Sequence, residues 1–133
     1  RAMAEYERLL RGDADLAVAA NNLAVLLLDK RGDITSVERA LNLTRRFHNS
    51  AQPAYLDTLG WALVKSGQAS RGLAYLEKAL AAEPNSPAYH YHAGLAYKAT
   101  GDKEKAKAHL LQSIASGAAF SSRDQAKAVV ATL

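Results

Sequence analysis

The sequence predicts an all-α solenoid of antiparallel helix hairpins, and three observations carry that prediction. Apolar residues recur at helical spacing between short turns marked by glycine, proline and asparagine, and no stretch alternates as a strand does. Residues 53–86 and 87–120 align without a gap at a period of 34 residues. Finally, Gly60 stands in the middle of the amphipathic stretch Leu56–Gln68, and Gly94 repeats it in the next unit. A glycine inside a helix costs about 1 kcal/mol relative to alanine. The simplest compensation is a second helix crossing too close for a β-carbon.

Composition agrees. The 133 residues are 49% hydrophobic, with three prolines and eight glycines, enough apolar surface for a continuous core and little to favour sheet. No cysteine is present, which excludes disulfides, thiolate metal sites and a cysteine nucleophile. The formal charge of +4 is spread along the chain apart from Lys98, Lys103, Lys105 and Lys107. A nucleic-acid footprint is denser and carries exposed aromatics, so these lysines read as a solvated face. No apolar run reaches the roughly 20 residues of a membrane span. The first residues do not resemble a signal peptide. They open at Arg1 inside a helical pattern, which reads as part of a longer protein.

Taken in order, residues 2–11 place Ala2, Tyr6, Leu9 and Leu10 on one helical face, and Gly12–Asp15 ends that helix. A long apolar helix follows from about Leu16 to Lys30 and stops at Gly32. Asp33–Ser36 is a turn in which Ser36 is expected to cap the next helix, about Val37 to His48. That helix buries Ala40, Leu41 and Phe47, with Leu43 and Thr44 at its margin. Pro53 suits the first turn of a helix running to about Ser66, and Gly67 stops it. Its partner runs from about Ser70 to Glu83. Pro84–Pro87 leads into a helix to Thr100, and Gly101–Asp102 turns into the next, Lys103 to Ser116. A last helix begins with the capping-box pattern Ser122–Gln125. Eight helices and no strand are expected.

The two aligned units share Pro53/Pro87, Ala54/Ala88, Tyr55/Tyr89, Gly60/Gly94, Ala62/Ala96, Gly67/Gly101, Ala74/Ala108, Leu76/Leu110 and Ala81/Ala115. The second unit supplies Leu56, Leu59, Gly60, Leu63, Gly72, Leu76 and Pro84. The third supplies His90, Ala93, Gly94, Tyr97, Ala106 and Leu110, with Ala118 where proline is expected. A less regular first unit offers Ala20, Leu23, Ala24, Leu27, Ala40 and Thr44. This pattern resembles the tetratricopeptide repeat, a 34-residue helix–turn–helix unit. The resemblance implies a right-handed superhelix: residues 1–16 ending a truncated repeat, repeats at 17–52, 53–86 and 87–120, and a capping helix at 121–133. In that cap Ala126, Val129, Val130 and Leu133 face the last repeat, and Arg123, Asp124 and Lys127 face water. The phrases Asn21–Ala24 and Leu56–Trp61 are also similar to bacterial repeat lipoproteins of exosortase (PEP-CTERM) surface-sorting and exopolysaccharide systems. That narrower likeness implies an envelope-associated scaffold; cytoplasm and periplasm both stay open.

Catalytic chemistry finds no foothold. His90 and His92 diverge by about 200° on a helix and cannot share a metal. His90 fills a large-residue slot and reads as a hydrogen-bonded core histidine, while His48 and His109 have no evident partner. Short acids at Asp13, Asp15, Asp29 and Asp33 sit at helix ends. No phosphate loop, serine elbow or paired carboxylates appear. The expectation is a binding protein with no enzymatic activity, no cofactor and no metal.

The resemblance places a partner-binding groove on the first helix of each unit: Asn21, Val25 and Leu28; Asp57, Trp61, Val64 and Lys65; Tyr91, Leu95 and Lys98. The partner is a peptide or protein, not nucleic acid. The alternative is a structural spacer or self-assembling segment of a longer solenoid. Two readings of Trp61 stay open. As an exposed anchor its truncation weakens binding and spares the fold, and as core it lowers stability. The apolar edge Tyr6, Leu9 and Leu10 could associate with a second copy.

Overall fold

Several helix boundaries follow from a capping or turn residue placed there by the sequence. The computed structural model describes residues 3–4, 16–115 and 123–133. Helix α1 spans Ala17–Leu26 and runs on into a π-helical turn, Leu27–Arg31. Gly32 ends it at φ +72°, a left-handed conformation that glycine adopts without a β-carbon penalty. Helix α2 spans Ile34–Thr44 and tightens into a 3-10 turn, Arg45–Phe47. Its cap is Asp33, not Ser36: the Asp33 carboxylate accepts from the Ser36 amide at 3.2 Å and from the Ser36 hydroxyl at 2.7 Å. Those two bonds hold the Asp33 carboxyl below its usual range. The helix accordingly starts three residues earlier than expected.

Helices α3 (Pro53–Lys65) and α4 (Ala69–Ala82) form the next hairpin. Helices α5 (Pro87–Thr100) and α6 (Lys103–Ala115) form the third, with Ser86 Oγ accepting from the Tyr89 amide. Helix α7 covers Arg123–Thr132. The described residues thus hold seven helices and no strand, an all-α helical repeat. The expected helix 2–11 lies outside them apart from Met3 and Ala4, as do Ser122, Ala118 and Phe120. Met3 packs against the core.

The crossing inferred at the glycines is tight. A β-carbon on Gly60 would stand 2.8 Å from Leu76 Cγ and 2.9 Å from the Gly72 carbonyl oxygen. One on Gly94 would stand 2.6 Å from Leu110 Cγ and 3.2 Å from the Ala106 oxygen. Backbones of paired helices therefore touch, and Leu76 and Leu110, both fully buried, fill the space beside the contact. Stacking hairpins against each other completes a core that runs from Leu23 and Leu28 through Phe47 to Trp61. A second cluster joins Tyr91, Leu110 and Ala126, with Val129, Val130 and Leu133 of α7 partly buried against it. Asp124 and Lys127 are exposed, whereas Arg123 is half-buried.

Candidate interaction face of the first helices

Helices α1, α3 and α5 lead their hairpins and meet along one seam, and the single tryptophan sits in its middle. Trp61 is only 6% exposed. Its Nε1–H donates to Asp29 Oδ1 at 3.3 Å, reaching α1. Its ring stacks on His92 of α5, with centroids 4.2 Å apart and planes at 18°, and tilts against Tyr91 at 6.2 Å. Lys65 Nζ lies 5.0 Å above the indole, within cation–π range. His92 Nδ1–H in turn donates to both oxygens of the Asp57 carboxylate, at 2.9 and 3.0 Å. A buried carboxylate needs such a donor to offset its lost hydration.

Burial at this level makes Trp61 a packing residue that joins three helices. Asp57, buried likewise, holds His92 in place, and Leu28 is fully buried beneath the seam. Val64 turns toward α4, its Cγ2 close to where a Gly72 β-carbon would stand, so it belongs to the hairpin contact and not to a groove. Tyr91 and Leu95 bridge the seam and the last helix. Val25, Lys65 and Lys98 are exposed. Asn21 is half-buried, and its Oδ1 has no hydrogen-bond partner among the described residues.

A cleft of about 190 Å³ opens where these helices converge. Leu28, Asp29 and Lys30 of the α1 end, Trp61 and Lys65 of α3, Tyr91 of α5 and Gln125 of α7 line it. Four of the ten residues assigned to the groove line this cleft: Leu28, Trp61, Lys65 and Tyr91. Sequence reasoning missed Asp29, Lys30, Gln125 and the Asp57–His92 pair. The pair was within reach, because 57 and 92 are one repeat period plus one residue apart, which sets them on adjacent first helices. Asp29 was not, because the π-turn carrying it shifts the register of that helix end.

His109, expected to stand without a partner, pairs with His90. The two Nδ1 atoms lie 2.9 Å apart, and His90 Nε2–H donates to the Pro84 carbonyl at 2.7 Å. Because a carbonyl only accepts, His90 carries its proton on Nε2 and its Nδ1 accepts from His109 Nδ1–H. His109 also stacks on Tyr97, whose hydroxyl donates to Glu77. Burial foremost, then the neighbouring His90, lowers the His109 pKa. Burial and the Glu77 bond push the Tyr97 phenol up to about 12. Among the described residues no three His, Cys, Asp or Glu side chains gather as a metal set, and no helix is long and apolar enough to cross a membrane.

The hairpins, their period and their glycine crossings can be set beside known families. A comparison with curated proteins finds no match. The tetratricopeptide repeat family matches residues 53–86 and again 87–116, the hairpins α3–α4 and α5–α6. Repeats of this family suggest a scaffold for protein–protein interaction. Residues 53–86 and 87–116 of the chain are tetratricopeptide repeats.

Proposed function

We propose that the chain is a non-catalytic scaffold that holds a peptide or protein partner along its first-helix face. The observation that carries this reading is the cleft where α1, α3, α5 and α7 converge, with the Trp61 and Tyr91 rings as its floor and Lys30 and Lys65 at its rim. The exposed Val25 and Lys98 extend the same face. An extended segment bearing acidic side chains supplies carboxylates for the exposed lysines. Selection from a displayed-peptide library tests it. Retained peptides should lose binding to Lys65→Glu and Val25→Asp variants whose helicity is unchanged. Peptides indifferent to both substitutions would overturn the reading.

One observation favours a second reading, a spacer within a longer solenoid. Asp57, Trp61 and His92 spend their polar atoms on one another and on Asp29, which stiffens the stack and displays nothing. In that case the library yields no peptide, and only self-contacts or whole partner proteins are recovered. An envelope setting is the narrower form of either reading and rests on the phrases Asn21–Ala24 and Leu56–Trp61.

A further inference from the structure

On the opposite face, the second helices of the first two units leave a cleft of about 390 Å³ between them. Leu59 and Leu63 of α3 form its floor, and both side chains are almost fully buried. One wall, from the end of α2 and the turn after it, carries Arg45 and His48. The other, from α4, carries Arg71 and Tyr75. No carboxylate lines the cleft. Among the described residues Arg71 bonds only the neutral amide of Gln68, and no side-chain partner meets Arg45 or His48. Lys78 Nζ, 5.7 Å above the Tyr75 ring, adds a further positive charge beside that wall.

Surface arginines are ordinarily solvated and need no partner. Here two of them stand on facing walls above an apolar floor, with an aromatic ring at the side. A guanidinium offers a flat fork of donors that matches a carboxylate with two parallel bonds. Apolar ground beneath the fork lowers the local dielectric and strengthens such a pair. Because the two guanidinium groups come from different helices, the complementary ligand presents two carboxylates held apart by an apolar group.

We propose that this cleft binds an acidic peptide segment of a partner protein, with carboxylates on Arg45 and Arg71 and an intervening apolar side chain on Leu59 and Leu63. The site is separate from the cleft beside Trp61, so it stands or falls independently of the first-helix reading. It gives the chain a second interaction surface, on the side away from the first.

The probe is a blocked hexapeptide of alternating glutamate and leucine, titrated into the whole chain by calorimetry and by NMR. Shifts at Leu59, Leu63 and Tyr75 are expected, with affinity that falls as salt is raised. The double variant Arg45→Gln, Arg71→Gln should weaken binding about tenfold or more, with circular dichroism and melting unchanged. Each single variant should give a smaller loss. Equal binding of a glutamine-for-glutamate peptide, equal binding by the double variant, or shifts centred on Trp61 would overturn the proposal. Hexanoate alone producing the same shifts at the same concentration would assign the cleft to a small carboxylate and overturn the peptide. An oligothymidylate that binds there more tightly than the peptide would assign it to nucleic acid, with the same consequence.

Discussion

At Gly60 two effects of similar size oppose each other, and the geometry decides between them. Alanine gains about 1 kcal/mol in helix propensity over glycine. Its β-carbon would press on the Gly72 carbonyl, which is backbone and cannot turn away. Overpacking of that kind costs about 1–3 kcal/mol. Gly60→Ala is therefore expected to lower the melting temperature, as is Gly94→Ala, and thermal denaturation followed by circular dichroism measures both. Trp61 follows the same logic. Removing a buried indole forfeits about 3–5 kcal/mol, so Trp61→Ala should lose stability heavily in urea titrations. Trp61→Phe keeps an aromatic ring in the stack but drops the bond to Asp29, about 1 kcal/mol, and part of the indole's packing. Its stability should therefore fall between those of the parent and Trp61→Ala. A Trp61→Ala variant that melts like the parent would return the indole to the role of exposed anchor.

Across the α5–α6 hairpin the His90–His109 contact ties stability to pH. Geometry allows one proton between the two Nδ1 atoms, so charging both rings breaks the contact. Glu77 and Lys105 also act on His109, the first favouring its proton and the second opposing it, and burial outweighs both. A histidine whose folded pKa is lowered takes up its proton first in the unfolded chain. Its stabilisation is complete above the unfolded value of about 6.5 and drains away as pH falls through that value toward the folded one. Urea midpoints should accordingly drop between pH 7.5 and 5, and more gently in His109→Gln. Legibility varied by element in a way that this hairpin illustrates. The helices were readable because the period of 3.6 residues and the glycine stops are local signals. The histidine pair was not, because it depends on how one helix faces the other. Its register was nonetheless recoverable: the second unit holds Leu56 and Tyr75 at the positions of His90 and His109. The cap at Asp33 was misread for a smaller reason, since Ser36 and Asp33 are both good caps and only the backbone angles select one.

For the molecule as a whole, stability adds up from units and the contacts between neighbours. The last helix tests that description. Ala126 is fully buried against Tyr91 and Leu110. An Ala126→Asp charge placed there has no partner and should release α7. Amide exchange should then quicken in α7 and in the part of α5 and α6 that it covers, while α3 and α4 keep their protection. Uniform loss of protection would show instead that the stack opens as one body. The solenoid itself was visible in the 34-residue period. The cleft beside Trp61 was only partly visible, because the period fixes which helices adjoin and says little about which side chains turn to each other.

The position of Trp61 has a use beyond stability. It is the sole indole in the chain, and from the first helix of one unit it touches its counterparts in the units on either side. Its fluorescence is therefore an intrinsic gauge of whether those units stay in register. Emission excited at the indole band should begin at short wavelength and move toward the red as the stack separates. No label, tag or substitution is needed to follow the assembly of the array in real time.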